Sequence, residues 1–250
     1  MLEFQNVSIR YEKEVLSDIS FALHGGEMTV LLGANGTGKT SLLRTVVGEV
    51  PYAGRIMLDG APLQALRAKE RATRISLLPQ HLPAPALTVR ETVALGLSPH
   101  VTRPSQKEWK TVDRTLEALA LTPLADRAVC TLSGGERQRV FFAMLLVQNT
   151  PVLLLDEPTA YLDPAQRARL FARLAKQAKE GKAILAVLHD LSEAVAVADR
   201  ILLLHRGRLV FDGTSEQFVA NEVAERMLGV RHYTAKRDGK TAHFFAPEYK

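Results

Sequence analysis

Hydrophobic and polar positions alternate in the first 24 residues and predict two strands, LEFQNVSIRY and EVLSDISFALH, separated by the polar residues 12–14. The continuous apolar run EMTVLL at 27–32 predicts a short buried strand, and KTSLLRTVVG at 39–48 has its apolar residues at helical spacing. AGRIMLDG and RISLLPQ predict two more strands. We therefore interpret residues 1–84 as part of a nucleotide-binding α/β core.

The pattern becomes helical in the middle of the chain. HLPAPAL at 81–87 contains two prolines, and residues 88–149 then carry apolar positions at helical spacing. The helical stretches are TVRETVALGL, QKEWKTVDRTLEALAL and GGERQRVFFAMLLVQN. Residues 85–149 are therefore predicted to form an inserted α-helical subdomain.

Strands and helices alternate again from Pro151. The predicted order is VLLLD, a helix from Pro164 to Glu180, AILAVLH, a helix over LSEAVAVA, ILLLH and RLVFDG. Strands that alternate with helices favour a mainly parallel sheet covered on both faces, so the predicted fold is α/β with a three-layer core built from residues 1–84 and 150–220. The 250 residues are interpreted as one domain.

The last stretch, residues 221–250, is predicted to be a carboxyl-terminal extension with a short helix and two strands around a DGK turn. We assign it no chemistry. Its histidines, His232 and His243, are interpreted as surface residues and not as metal ligands.

The composition is that of a soluble globular protein, with 46% hydrophobic and 24% charged residues. No apolar run approaches the roughly 18 to 20 residues that span a bilayer, and MLEFQNVSIR does not have the layout of a secretory signal, so we predict a cytoplasmic chain. Cys130 is the one cysteine, which excludes an internal disulfide and predicts a small buried side chain.

The net charge of +5 raises the question of an anionic partner. The basic residues are dispersed along the chain and lack the interleaved aromatic residues of single-strand binders. Because helical spacing with alanine and leucine already explains most of them as solvated helix faces, we predict no nucleic-acid partner.

The stretch GANGTGKT at 33–40 has the spacing G-x-x-x-x-G-K-[ST]. A glycine-rich turn of this kind wraps backbone N–H groups around phosphates and opens a helix whose positive dipole end faces them. An ordinary glycine turn is the alternative, but the predicted strand before it and helix after it favour a phosphate-binding loop.

The run VLLLDEP at 152–158 is an apolar strand that ends in two acids. Consecutive strand residues point to opposite sides, so Asp156 and Glu157 need not have the same role. In a phosphate-loop nucleotidase the first acid supports Mg²⁺ together with the loop hydroxyl of Thr40, and the second polarises an attacking water. A solvated loop start is the alternative for an isolated acid pair.

The stretch LSGGERQRV at 132–140 places Ser133 three residues before Glu136, which fits a helix capping box. A capping box alone does not account for Gly134 and Gly135, because glycine weakens a helix unless a bare backbone is needed. We interpret this helix start as a second phosphate site. The two phosphate-binding helix ends need not come from the same copy of the chain.

The order of GANGTGKT, Gln80 after a strand, LSGGERQRV, VLLLDEP, YLD and LHD resembles that of the nucleotide-binding subunits of ATP-binding cassette (ABC) transporters over residues 1–215. The resemblance implies a P-loop NTPase core with an amino-terminal antiparallel β subdomain. It also implies a homodimer in which each ATP lies between the phosphate loop of one copy and the LSGGE helix of the other.

The resemblance implies roles for individual residues. Lys39 would hold the β and γ phosphates, Glu157 would be the general base, and His189 would contact the γ phosphate. Gln80 would sense the γ phosphate or the metal, and Mg²⁺ would be arranged by Thr40, Gln80 and Asp156. Tyr11 would stack on adenine, and Asp163 would link the two sites. The residues implied to contact ATP are Tyr11, Gly33, Asn35, Gly36, Gly38, Lys39, Thr40, Ser41, Ser133, Gly134, Gly135, Glu136 and Asp163.

The run LTVRETVALGLSPH at 87–100 is similar to a stretch written T-V-x-x-x-V-x-x-G-R-x-P-H in subunits that energise import of iron chelates, haem and cobalamin, although Leu97 replaces the usual arginine. This similarity implies a separate polytopic membrane permease, an extracytoplasmic solute-binding protein, and a peripheral location on the cytoplasmic face of the inner membrane.

Three alternatives remain open on the sequence. The chain could serve another transport system, including an exporter. It could be a soluble ATPase that acts on nucleic acid or ribosomes, although it has no second cassette and no long coiled coil. A regulatory subunit without hydrolysis would be expected to lack Glu157 or His189, and both are present.

Overall fold

The computed structural model describes residues 1–12 and 14–247. The strands, β1 to β12 in chain order, are Leu2–Arg10, Glu14–Leu23, Met28–Gly33, Ala53–Leu58, Ala61–Pro62, Ile75–Leu78, Val152–Asp156, Ala183–Val187, Arg200–His205, Arg208–Thr214, Val230–Arg237 and Lys240–Pro247. The α-helices, α1 to α9, are Lys39–Val47, Ala68–Ala72, Val89–Ala94, Gln106–Ala118, Gly134–Gln148, Pro164–Lys179, Leu191–Val197, Ser215–Ala220 and Val223–Leu228. Lys13, in the predicted polar break after β1, lies outside the described residues.

The central sheet has the strand order β10-β9-β3-β8-β7-β6. Its strands run parallel from β9 to β6, and β10 pairs antiparallel with β9. Every residue of β7 and of β8 is buried, which explains their continuous apolar sequences, because helices or a second sheet cover both faces. The predicted mainly parallel sheet is therefore confirmed.

A second sheet, β2-β1-β4-β5, is antiparallel and lies at the amino-terminal end of the chain. It packs with α1 against one face of the central sheet, where Leu31 of β3 and Leu42 and Leu43 of α1 share one apolar cluster. The other face of β3, with Val30, packs with helices that include α5 and α6. These are the three predicted layers.

The stretch between β6 and β7 is helical, as predicted, and contains α3, α4 and α5. Arg90 of α3 makes two hydrogen bonds to Asp113 of α4, at 2.7 and 3.0 Å, and its guanidinium lies 4.4 Å from the ring centroid of Trp109. Apolar residues on the inner faces of these helices join the large core cluster. The helices therefore pack on the core continuously through α5.

Some local features differ from the predictions. The sequence pattern did not indicate α2 or α8, because five or six residues are too few to show a helical period. The prediction that Cys130 is buried was wrong. Its side chain is exposed, because Val129 takes the inward position in the short turn Val129–Thr131.

The carboxyl-terminal stretch forms α9 and the predicted hairpin of β11 and β12. The hairpin packs against α7 and α8, where the ring of Phe218 lies between those of Phe211 at 5.4 Å and Phe245 at 6.5 Å. His232 and His243 are partly buried, and Nε2 of the first lies 2.9 Å from Nδ1 of the second. Each helix in the described part of the chain is too short or too polar to cross a bilayer.

We expect Phe218→Ala to lower the free energy of unfolding by about 3 to 5 kcal/mol, because Phe218 is 1% exposed and its removal leaves a cavity beneath the hairpin. Phe244→Ala is the matched control, since this phenylalanine of β12 is 50% exposed, and it should cost about 1 kcal/mol or less. Urea unfolding followed by circular dichroism measures both. Equal losses would show that the hairpin is not anchored through Phe218.

Candidate active site

The loop at residues 33–38 joins β3 to α1. At its last residue the backbone conformation suits only glycine. Gly38 is the N-cap residue of α1 with φ of 93°, in the left-handed region. A Cβ atom at this position would also lie 2.8 Å from Cγ of Leu16. The loop therefore reaches α1 in a conformation that leaves the N–H groups of the first helical turn without intrahelical partners.

Lys39 is the first residue of α1, and its ammonium group lies over the loop. Its Nζ donates hydrogen bonds to the carbonyl oxygens of Gly33 at 2.8 Å and Ala34 at 3.0 Å. Burial lowers the pKa of this ammonium group, and the negative charges of Glu157 and Asp156 oppose the lowering. The loop thus holds a desolvated cation whose present partners are neutral carbonyls, which a phosphate could replace with charged oxygens.

One open cavity of about 310 Å³ brings together all four predicted catalytic residues. Its lining is Val15, Asn35, Gly36, Gly38, Lys39, Thr40, Ser41, Gln80, Glu157 and His189. The loop follows β3, Gln80 follows β6, Glu157 follows β7 and His189 follows β8. Because the carboxyl ends of parallel strands meet at one edge of a sheet, residues far apart in sequence converge there.

Glu157 and His189 contact each other directly, with Nε2 of the imidazole 2.5 Å from Oε1 of the carboxylate. The backbone of Glu157 has φ of 51°, in the left-handed region that is uncommon for residues other than glycine. Residues in such sparsely populated conformations cluster at functional sites. Its side chain remains partly accessible. The carboxylate is therefore oriented by a neighbouring imidazole and open to the cavity.

Asp156 lies on the opposite side of the strand end and is only 2% exposed. It accepts a hydrogen bond from Thr40, and its Oδ1 has no hydrogen-bond partner among the described residues. Burial is the largest cause that raises the pKa of this carboxyl group, and the neighbouring charge of Glu157 adds to it. A buried carboxylate oxygen without a partner is a costly arrangement unless a cation is to be bound.

The oxygen atoms near Asp156 fit Mg²⁺, which prefers carboxylate, hydroxyl and carbonyl ligands. Thr40 supplies a hydroxyl, Gln80 an amide oxygen on the same cavity, and Asp156 the carboxylate. No group of three or more His, Cys, Asp or Glu side chains that could hold a metal occurs in residues 1–12 and 14–247. A cation here would therefore need further ligands from water or phosphate.

Tyr11 lies beside the loop but does not line the cavity. Its hydroxyl is 3.2 Å from Oγ of Ser41, and its ring is exposed. The ring is therefore accessible for stacking, and its contact with adenine stays a prediction.

The second predicted phosphate site, at the start of α5, is separate from this cavity. Ser133 and Glu136 form the expected capping box, in which the serine hydroxyl donates to Oε2 of Glu136 at 2.8 Å. Hydrogen bonds from the backbone N–H and the side chain of Ser133 lower the pKa of Glu136. In the single chain the serine hydroxyl therefore already has an anionic partner.

The structure gives a steric reason for the two glycines after Ser133, and the sequence did not predict it. A Cβ atom on Gly135 would lie 2.8 Å from the carbonyl oxygen of Tyr161, and one on Gly134 would lie 2.9 Å from the Tyr161 ring. The loop after β7 therefore approaches the start of α5 too closely for any side chain. Access for a phosphate is not the only reason for a bare backbone here.

Asp163 ends the same loop and caps α6, with a carboxylate oxygen that accepts from the N–H of Gln166 at 2.8 Å. Tyr161, two residues earlier, has φ of 63° and is 78% exposed. Neither residue lines the cavity at the phosphate loop. A role of Asp163 in linking two sites stays a prediction.

Gln138, which was not among the predicted site residues, ties α5 to the loop after β7. Its side chain is buried, and its Nε2 donates to the carbonyl oxygen of Pro158 at 3.0 Å. The signal was present, because Gln138 lies in helical register with Phe141, Phe142 and Leu145 on an otherwise apolar face. Val15 of β2, which lines the cavity, carried no such signal.

The profile of one family, ABC transporter, matches residues 16–160. The ferric enterobactin transport ATP-binding protein FepC of Escherichia coli (strain K12) is 38% identical over 92% of this chain and 88% of its own length. The hemin import ATP-binding protein HmuV of Pseudomonas entomophila (strain L48) is 42% identical over 92% of this chain and 93% of its own length.

Solved structures have the same fold. A metal-chelate type ABC transporter in an inward-facing conformation superposes with a TM-score of 0.85 and 26% identity, over 100% of this chain and 98% of the other. A dimeric ATP-binding cassette in a post-hydrolysis state with ADP and Pi superposes with a TM-score of 0.79 and 27% identity, over 86% of this chain and 99% of the other.

We expect Asp156→Asn to raise the free energy of unfolding at pH 7, in metal-free and nucleotide-free solution, by about 0.5 to 2 kcal/mol. The folded state raises the pKa of Asp156 above 3.8, so the ionised carboxylate destabilises the fold above that pH. The gain from removing the charge should therefore shrink as the pH falls toward 3.8. Urea unfolding at pH 7 and pH 5 measures it.

The control is Asp126→Asn, which removes an exposed carboxylate and should change stability by no more than about 0.5 kcal/mol. If Asp156→Asn lowered stability at pH 7 without metal, the carboxylate would be a structural anchor and not a desolvated ligand.

Proposed function

This chain belongs to the ABC transporter family as an ATP-hydrolysing subunit, and from that premise we propose that it powers import of a metal chelate, such as a ferric siderophore, haem or cobalamin, through a separate membrane permease. One observation supports the proposal that the chain hydrolyses ATP at this site. Lys39 and Thr40 line the same cavity as Gln80, Glu157 and His189, at the ends of parallel strands of one sheet.

ATP hydrolysis requires that water attack the γ phosphorus while the bond to the β-phosphate oxygen breaks. Glu157 takes a proton from that water, a role worth typically about 10² to 10⁴ in rate. His189 orients the Glu157 carboxylate through the contact of 2.5 Å and reaches the γ phosphate from the same wall. Lys39 leaves the carbonyls of Gly33 and Ala34 for the β and γ phosphates.

The residues around Asp156 would hold Mg²⁺, with Thr40 and Gln80 as its other protein partners. The bound cation supplies positive charge that neutralises phosphate oxygens. The unpaired Oδ1 of Asp156 supports this assignment, because it is a buried acceptor that the described residues leave unsatisfied.

The active unit is a homodimer in which α5 of one copy completes the site of the other. The cavity of their own chain is not lined by Ser133, Gly134, Gly135, Glu136 or Asp163, so contact of these residues with ATP would be with the nucleotide of a partner copy. The fold similarity to a dimeric cassette with ADP and Pi supports the same arrangement. In the closed dimer the Ser133 hydroxyl exchanges Glu136 for a phosphate oxygen, and Tyr11 stacks on adenine.

The permease docks near Gln80 and residues 81–87, so that closure at the γ phosphate is transmitted to the membrane subunits. Leu87 supports this surface, since it is a large apolar side chain that is 40% exposed. An extracytoplasmic solute-binding protein delivers the chelate, and the chain is peripheral on the cytoplasmic face of the inner membrane. Leu97, where an arginine is usual, is buried, so the difference affects packing and not this surface.

Metal-chelate import is supported by relatives named for ferric enterobactin and hemin and by the fold of a metal-chelate type transporter.

The test measures ATP-driven uptake of a ferric siderophore, haem and cobalamin, in turn, by proteoliposomes that contain the chain purified with its permease. Uptake of one chelate supports the proposal. ATP-driven transport of other solutes only, or outward transport, would place the chain in another system. Salt-sensitive binding of nucleic acid would favour a soluble ATPase.

We expect Glu157→Gln to reduce phosphate release by about 10² or more while ATP binding is retained, because the amide cannot accept the proton but has the same shape. Light scattering should then detect an ATP-bound dimer that persists. Phosphate release and dimer lifetime are measured on the same preparation.

Glu180→Gln is the matched control, since Glu180 lies at the exposed end of α6 and away from the cavity, and it should hydrolyse ATP at the parental rate. Parental turnover in Glu157→Gln would remove Glu157 from the role of general base.

A further inference from the structure

A second cavity, of about 120 Å³, lies where the end of α4 meets α5 and α6. Its lining is mostly apolar, with Leu119 and Phe142 on the floor. Three arginines, Arg139, Arg169 and Arg173, reach it from α5 and α6. It shares no residue with the cavity at the phosphate loop.

The three arginines give the lining of this cavity a net positive charge. Arg139 donates to the carbonyl oxygen of Leu119 at 3.4 Å, and Arg173 donates to that of Ala118, both at the end of α4. No carboxylate lines the cavity, and none of the three arginines forms an ion pair with a described residue. Glu136, which does not line the cavity, interacts electrostatically with Arg139, so the charge available to an anion comes mainly from Arg169 and Arg173.

Two buried polar atoms on this cavity also lack partners in the described part of the chain. Oε1 of Gln138 is an acceptor on a side chain that is 2% exposed, and Nε of Arg139 is a donor. A buried polar group without a partner is uncommon in folded proteins and points to a missing water or ligand. Here an acceptor and a donor are adjacent in sequence and line one cavity.

We propose that this cavity binds a small hydroxylated aromatic carboxylate. The carboxylate lies among Arg139, Arg169 and Arg173, and the hydroxyl donates to Oε1 of Gln138. The ring packs on Leu119 and Phe142. The volume of about 120 Å³ is of the order of an engineered apolar cavity, of about 150 Å³, that takes up benzene, so the ring would lie inside and the carboxylate at the exposed mouth near Arg169.

The ligand would act on the catalytic loop through Gln138. The amide nitrogen of this side chain holds the carbonyl oxygen of Pro158, the residue after Glu157, while its oxygen would contact the ligand. The ligand would also bridge α4 and α5 to α6. We therefore expect occupancy to change the rate of ATP hydrolysis.

The test uses 4-hydroxybenzoate with the full chain, because its hydroxyl is too far from its own carboxylate to donate to it. Benzoate and phenol are matched probes that lack the hydroxyl and the carboxylate. Calorimetry should show 4-hydroxybenzoate binding about tenfold or more tighter than either, because each probe leaves a polar group of the cavity unpaired. Inorganic phosphate should not compete. Absence of 4-hydroxybenzoate binding at millimolar concentration, equal binding of benzoate, or displacement by phosphate would overturn the proposal.

Arg169→Gln locates the site, because the Arg169 guanidinium makes no hydrogen bond to a described residue and lies at the exposed mouth of the cavity. We expect it to weaken 4-hydroxybenzoate binding about tenfold while basal ATP hydrolysis is unchanged. Lys176→Gln, an equal charge change on α6 away from the cavity, should leave binding unaltered. Arg173→Gln serves as the second site variant.

At a 4-hydroxybenzoate concentration that just saturates the parental chain, ATP turnover should change in the parental chain and in Lys176→Gln, and less in Arg169→Gln. Unaltered affinity in both arginine variants would place the ligand elsewhere. Unchanged parental turnover at saturation would overturn the link through Gln138.

Discussion

The proposed catalytic centre depends on one constraint, the parallel alignment of β3, β6, β7 and β8. Because all four strands end at the same edge, a lysine, a glutamine, an acid pair and a histidine converge from positions 39 to 189. Parallel strands must be covered on both faces, which the amino-terminal sheet with α1 does on one side and α5 with α6 on the other. The inserted helices therefore complete the core and also place Ser133 at an exposed helix end.

Much of this arrangement could be predicted from the sequence. Buried strands such as VLLLD show as continuous apolar runs, and the loop GANGTGKT carries its own chemistry in glycine spacing and a lysine. The order of motifs then identified the family, which the matched profile bears out. Long helices were predicted well because their hydrophobic periodicity is repeated over several turns.

Contacts between distant segments could not be predicted. The approach of Tyr161 to Gly135 depends on how the loop after β7 packs, and neither residue signals it alone. Gln138 shows as a polar residue on an apolar helix face, but its partner, the carbonyl of Pro158, is a backbone group that sequence does not mark. Cys130 was assigned from the average behaviour of cysteine, which the local turn at Val129 overrides.

In the proposed closed dimer, the capping box at Ser133 bears on how the two subunits separate. The serine hydroxyl donates to a carboxylate in the lone chain, so a nucleotide bound there would exchange one anionic acceptor for another. Such an exchange would give little net hydrogen-bond energy in either direction. Once the terminal phosphate had left, Glu136, three residues away, would accept the hydroxyl again, which returns the helix start to the state of the lone chain.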